Sequence, residues 1–362
     1  MQAAGFEIPR LMRAAVYHGE SIVSVEEVPT PEICAGEILI RVEACGVCHT
    51  DLKKVEHNLL PPPRIYGHET AGIVARAGAG VTRFAVGDRV IVFHHIPCRV
   101  CFYCSRKLYA QCPDYKKVGV TAGFMPAGGG FSQYVRVMDW IVENGVEKIP
   151  NGISFEEASF VEPVNTCLKA VDQCAARADD LVLVMGQGPI GLLFTMILHE
   201  RGIPVVATDT IPGRLSLSRE CGASESWDPR RTDVASRIKS RTDHRGADIV
   251  IVATAAPGLV AEAIRCSRPG ARILLFAQTS DTERIEFSGA DICVGERVLF
   301  GCYSADVDLQ AESADLVFRR RIPVARLISD RFPLANIDAA FHLAQHPTER
   351  SLKVIVKPQE LN

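Results

Sequence analysis

Aromatic residues are scarce in this chain: 7% of 362 residues, with only 2 tryptophans. That leaves little stock for stacking nucleic-acid bases. Excess basic charge is also missing. The formal net charge is -3, whereas a general nucleic-acid binder carries a basic surface. The opening MQAAGFEIPRLMRAAVY lacks the basic-then-apolar order of a secretory signal, so a cytoplasmic protein is expected. Long apolar runs are absent as well. Residues 181–198 hold no charge, but Gly186, Gln187, Gly188, Pro189 and Gly191 interrupt them. That pattern suits a buried strand, a turn and a helix better than a membrane span. The chain shows no internal repeat and no low-complexity segment.

What is present is an ordinary globular composition, 47% hydrophobic and 23% charged. The length predicts two domains. The 13 cysteines are an odd number in a chain without a secretory signal, which argues for metal ligation or buried thiols over a disulfide framework.

The first half reads as β-rich. EILIRV at 37–42, AGIVA at 71–75 and RVIVF at 89–93 are short β-branched runs separated by Gly and Pro, as in a barrel-like β domain. Near Ser154 the pattern changes to alternating strands and helices. Strands are expected at 181–185, 204–208, 249–253, 272–276 and 297–301, with helices at 190–201 and 212–221. Such near-continuous Val/Ile/Leu strands between helices define a parallel sheet covered on both faces. A helix at 311–319 and a strand at 351–357 close the chain.

Gly186-Gln187-Gly188-Pro189-Ile190-Gly191 follows the first of these strands and opens a helix. In that context GxGxxG is a dinucleotide-binding turn. Gly186 makes the tight turn, Gly188 lets the backbone approach a pyrophosphate, and Gly191 lets helix and strand pack closely. Asp209 ends the next strand, 23 residues after Gly186. A carboxylate there accepts from the ribose hydroxyls and repels a 2′-phosphate, which favours NAD. Arg214 lies nearby and offers a phosphate partner; a competing reading makes Asp209 a helix cap.

Cys98, Cys101, Cys104 and Cys112 fall within fifteen residues. Four close thiolates suit a tetrahedral structural zinc with no open position. An iron–sulfur site and a nucleic-acid ribbon are the rivals. Cys48-His49-Thr50-Asp51, Gly67-His68-Glu69 and Glu162-Pro163 are each weak signals alone. Together they offer thiolate, imidazole and carboxylate donors, the mixed set of a catalytic zinc.

Taken in order, CHTD, GHE, the four-cysteine lobe, EP, and GxGxxG followed by Asp resemble the zinc-dependent medium-chain dehydrogenases, or zinc alcohol dehydrogenases. The likeness runs from residue 13 to residue 358 and is nearest the sorbitol and threonine dehydrogenase branch. It implies an α/β protein: a GroES-like β-rich catalytic domain at 1–166 and 302–362, with its structural zinc lobe at 98–112, and a Rossmann NAD-binding domain at 167–301. It implies that Cys48, His68 and Glu162 ligate the catalytic zinc, with Glu69 ligating or exchanging with Glu162. It makes Thr50 the hydroxyl that takes the substrate proton, Asp51 the carboxylate behind the histidine, and Thr166 the residue packed on the nicotinamide. His49 is expected at the cofactor pyrophosphate, as in simple alcohol dehydrogenases; the polyol branch usually has Gly there. Lys53 stands where many relatives carry the histidine that ends a proton relay.

The implied activity is NAD-dependent interconversion of a secondary alcohol or polyol and its ketone. A small-molecule substrate, no nucleic acid, no membrane and a homo-oligomer (dimer or tetramer) go with it. Pocket walls are expected near residues 53–60, Phe93, Met125 and Tyr303. An aldehyde or phosphorylated-polyol dehydrogenase and a non-catalytic NAD-binding protein on the same fold are the alternatives.

Overall fold

A computed structural model describes residues 7–115, 128–277 and 284–360; Met125 lies outside them. The chain divides into two compact units, Met1–Asn165 with Ala305–Asn362, and Thr166–Ser304. No helix among the described residues is long and apolar enough to cross a membrane.

The discontinuous unit is built mainly on antiparallel strands, with Ile328–Pro333 and Lys353–Lys357 a parallel pair. Among the described residues its larger sheet has seven strands. They run in the order Ile328–Pro333, Lys353–Lys357, Ile38–Gly46, Glu69–Ala77, Arg89–Val92 and Val146–Lys148, with Tyr134–Val137 also paired to Ile38–Gly46. A second sheet joins Ile22–Pro29, Leu11–Gly19 and Arg64–Ile65. Strand alternation explains the core between them. Met12, Ala14 and Val16, at every second position, pack with Leu39, Ile65, Ala75 and Tyr134.

Two registers in the larger sheet bring distant parts of the chain together. Gly46 pairs with Glu69 on one side and with Ile355 on the other. The strand that ends just ahead of Cys48, the last strand of the chain and the strand that starts at Glu69 therefore lie side by side.

The continuous unit is a six-stranded sheet of parallel pairs. Its order is Glu225–Trp227, Val205–Thr208, Val182–Met185, Ala247–Val252, Ser267–Leu275, Val298–Gly301. Numbered along the chain this is 3-2-1-4-5-6, the doubly wound dinucleotide-binding order. Leu183, Val206, Val250 and Ile273 form its buried centre. The expected α/β class, a β-rich domain plus a Rossmann sheet, is borne out. One strand arrives early: pairing of Ser267 with Ala247 starts it before an irregularity that takes up Pro269 and Gly270. Glu225–Trp227 was not anticipated, being short and polar at its start.

Candidate metal centres and dinucleotide site

In the discontinuous unit, Cys48 is the N-cap of the helix His49–Glu56, and its sulfur accepts the Thr50 backbone N–H at 3.5 Å. Cys48 is thus fixed at the helix N-terminus. His68 immediately precedes the strand Glu69–Ala77. Its Nδ1 lies 3.0 Å from Asp51 Oδ1 in the first turn of that helix. Both are buried. Burial opposes charge on each, but the pair outweighs it: Asp51 is held below the usual carboxylate range and His68 well above the usual imidazole range. With Nδ1 engaged, Nε2 is the nitrogen left to ligate.

Cys48, His68 and Glu69 bring one ligand atom each to within 4.8 Å of one another. Thiol, imidazole and carboxylate in that space fit a zinc ion with an open position. Glu162, in the first turn of the helix Val161–Cys174, falls outside this set. Its Oε1 lies 3.5 Å from His95 Nδ1, and burial raises its carboxyl to about 7. Glu69 thus stands with Cys48 and His68, while Glu162 stands against His95 and still feels the charges of His68 and Glu69.

Glu69 has a partner that sequence reasoning missed. Lys353, 6% exposed, places its ammonium on the Glu69 carboxylate. Burial lowers the lysine's affinity for a proton, and Glu69, with Cys48 and Glu162, more than restores it. The available signal was a charge inside the apolar run KVIVK, whose first four residues are all buried. His94 and His95, also buried, were missed too; a His-His pair ahead of a cysteine lobe names no role by itself.

Cys98, Cys101, Cys104 and Cys112 converge, again within 4.8 Å. Cys101 and Cys104 sulfurs are 3.5 Å apart, and Cys98 and Cys104 sulfurs 3.9 Å. Tetrahedral arms of about 2.3 Å give sulfur–sulfur edges of about 3.8 Å, so the spacing fits zinc and is far too long for disulfides. Burial and the neighbouring thiols push Cys104 up to about 12, a cost that a bound cation removes.

In the continuous unit, Gly186 has φ +90°, the left-handed turn that glycine adopts without strain. A Cβ on Gly191 would sit 1.8 Å from the Gly186 carbonyl oxygen, whereas one on Gly188 would meet nothing within 4 Å. One glycine is thus required by packing and the other leaves space in front of the helix Pro189–Glu200, which starts with Pro189 and Ile190. Asp209 does two things. Its Oδ1 accepts the Ile211 N–H at 2.8 Å, and its Oδ2 accepts the Gln187 N–H at 2.7 Å. Asp209 thus braces the turn ahead of the helix Pro212–Glu220 without capping it, since the N-cap is Ile211 and has no side-chain cap, and the same carboxylate is tied to the glycine turn. Arg214 lies half-buried in the helix Pro212–Glu220. Thr166 is half-buried in Val161–Cys174, His49 is exposed at the start of its helix, and Lys53 is half-buried. Of the expected pocket walls, Phe93 is buried at 1% exposure and Tyr303 is exposed at 40%.

The fold and these sites define a class of two-unit, nucleotide-binding metalloenzyme. Residues 34–150 match the family model of the alcohol dehydrogenase GroES-like domain, and residues 189–319 that of the zinc-binding dehydrogenases. Sorbitol dehydrogenase of Bacillus subtilis is 28% identical over 357 residues, covering 97% of this chain and 98% of that protein. D-xylulose reductase A of Aspergillus oryzae is 30% identical over 341 residues, covering 90% and 92%. A crystal structure of a zinc-binding dehydrogenase from Sinorhizobium meliloti 1021, bound to NADP, superposes with a TM-score of 0.86 at 28% identity, covering 96% and 99%. The chain belongs to the zinc-binding dehydrogenase family, as its motif order led one to expect.

Proposed function

We infer that this protein interconverts a secondary alcohol or polyol and its ketone with NAD. The observation that carries this is the Cys48–His68–Glu69 set, with Asp51 behind the histidine. The polyol names of the relatives support the substrate class.

We assign Cys48, His68 and Glu69 as zinc ligands, with Glu162 beside them, and the four cysteines of the lobe as ligands of a second, structural zinc. When bound, zinc supplies a Lewis acid that makes an alcohol more acidic, and the dinucleotide supplies the hydride acceptor. The chain's own residues do the rest. Thr50 Oγ1 takes the alcohol proton while its own hydroxyl proton passes on toward solvent. Asp51 holds the imidazole in one tautomer. The turn at Gly186, Gly188 and Gly191 admits the pyrophosphate to the helix N-terminus, where Pro189 and Ile190 begin the helix. Asp209 accepts from the ribose hydroxyls and disfavours a 2′-phosphate, with Arg214 tempering that choice. Thr166 packs on the nicotinamide, and His49 meets the pyrophosphate. In this reading the discontinuous unit is the catalytic domain and the continuous one the NAD-binding domain.

The same reading makes the protein a cytoplasmic homo-oligomer. None of the thirteen cysteines, all within the described residues, lies in a disulfide, and thiols and zinc thiolates are what a reducing compartment keeps. The edge strand Val298–Gly301 exposes Val298 and pairs on one side to Ser267–Leu275, leaving an edge for a second copy.

The test is the initial rate of NADH formation by zinc-loaded protein. Secondary alcohols, polyols, polyol phosphates and threonine are each offered with NAD⁺ and with NADP⁺. Turnover of a secondary alcohol or polyol, faster with NAD⁺, is expected. Turnover confined to phosphorylated polyols or aldehydes would replace the substrate class. Zinc and NADH bound without any turnover would make the protein a non-catalytic NAD binder.

A further inference from the structure

His94 and His95 take part in none of these steps, yet they are 4% and 7% exposed beside the metal-ligand set. Their rings lie 3.7 Å apart between centroids, tilted at 41°. His94 meets His68 edge-on at 5.4 Å, while His95 stacks on Tyr115 at 5.2 Å and meets Phe93 edge-on at 5.2 Å. Three aromatic neighbours hold the His95 ring in one orientation. That orientation turns Nδ1 toward Glu162 Oε1, 3.5 Å away.

Two carboxylates thus flank one three-donor set, and their holds differ. Glu69 meets a buried ammonium directly. Glu162 faces an imidazole at a distance too long for a strong hydrogen bond. Glu162 is nonetheless close enough to feel the charges of His68 and Glu69. A buried carboxylate that loses its polar neighbour turns to whatever positive charge remains in reach. Beside this set those charges are the Lys353 ammonium, already engaged by Glu69, and the metal.

We propose that His95 is a positioning residue that holds the Glu162 carboxylate at the edge of the Cys48–His68–Glu69 set and so keeps the fourth metal position open for substrate oxygen. This rests on the assignment of Cys48, His68 and Glu69 as zinc ligands. Without His95, Glu162 closes on the metal as a standing fourth protein ligand.

The experiment uses the full chain loaded with cobalt(II), which reports its ligands by visible absorption. Wild type is compared with His95→Phe, His95→Gln, Glu162→Gln and the double variant His95→Phe/Glu162→Gln. Phe keeps the ring stack, and the thiolate–cobalt bands of the four-cysteine lobe serve as an internal control of folding. His95→Phe is expected to shift the bands of the three-donor site and to slow cobalt release to a chelator by about tenfold, within the range of outer-shell effects on metal binding. His95→Gln restores part of the wild-type behaviour. In the Glu162→Gln background, His95→Phe has no further effect, which separates positioning from a general packing role. Wild-type spectrum and release rate in His95→Phe would overturn the proposal. So would an equal shift in the Glu162→Gln background. A wild-type chain that takes up one cobalt, in the lobe alone, would instead overturn the metal-site assignment and the proposal with it.

Discussion

At the scale of single residues, the site depends on a position that carries no chemistry. Gly46 pairs with Glu69 in the sheet. A Cβ on Gly46 would fall 2.0 Å from Glu69 Oε2 and 2.8 Å from Lys353 Cε. Those are the ends of side chains, which elsewhere swing away at little cost. Here both are buried and locked to each other. Gly46→Ala is therefore expected to push the Glu69 carboxylate off its place and cut turnover by tenfold or more. Zinc content of the lobe and the dissociation constant for NADH should stay within about twofold, since the lobe is built by its own four cysteines and the glycine turn belongs to the other unit. Metal analysis alongside kcat and KM checks this; undiminished turnover would show that Glu69 need not stand where it does. This residue also marks what the sequence conceals. Cys48, His68 and Glu69 were readable because their types advertise metal chemistry. Gly46, Lys353 and His95 act by where the sheet register and ring stacking place them, and a linear string carries neither.

Legibility at the scale of elements followed the same divide. The parallel strands were readable because burial on both faces makes them continuous Val/Ile/Leu runs. Glu225–Trp227 escaped because three residues at a sheet edge bury one large side chain, Trp227. The different partners of Glu69 and Glu162 escaped because they lie far along the chain. A similar distant pair joins two strands of the larger sheet. Glu37, just ahead of Ile38–Gly46, accepts from Arg136 Nε and from a second guanidinium nitrogen at 2.7 Å each, and from the Cys34 N–H at 2.7 Å. Arg136 lies in Tyr134–Val137. Burial raises the Glu37 carboxyl, and the Arg136 and Cys34 hydrogen bonds more than reverse it, so its pKa is lowered on folding. A lowered acid stabilises the fold above its unfolded pKa of about 4.3, and loses that contribution as pH falls through the folded value. Thermal unfolding of wild type should therefore show Tm falling from about pH 4.3 downward. Arg136→Gln is expected to cost about 1.5–3 kcal/mol at neutral pH and to flatten that acid limb. An equally steep limb in the variant would assign the acid sensitivity to other carboxylates.

At the scale of the whole molecule, the two kinds of chemistry are held by different units. Both metal-ligand sets lie in the discontinuous unit, and the glycine turn with Asp209 lies in the continuous one. The two metal sets also differ in kind. Four thiols enclose one centre on all sides, while three mixed donors leave the other open to small ligands. An open site exchanges with chelators far faster than a closed tetrathiolate. A pyridine dicarboxylate chelator is thus expected to remove one zinc per chain first and abolish turnover, with Tm falling by no more than about 2 °C. NADH binding, read by nicotinamide fluorescence, should persist within about threefold, because the glycine turn is built by Gly191 packing and the Asp209–Gln187 bond without help from metal. The second zinc should leave only with a thiol-directed reagent, and its loss should lower Tm sharply, since the lobe has little apolar core of its own: Val100, Phe102 and Leu108 are all exposed. If the first zinc removed were the one that lowers Tm, with turnover intact, the structural and catalytic assignments of the two centres would have to be exchanged.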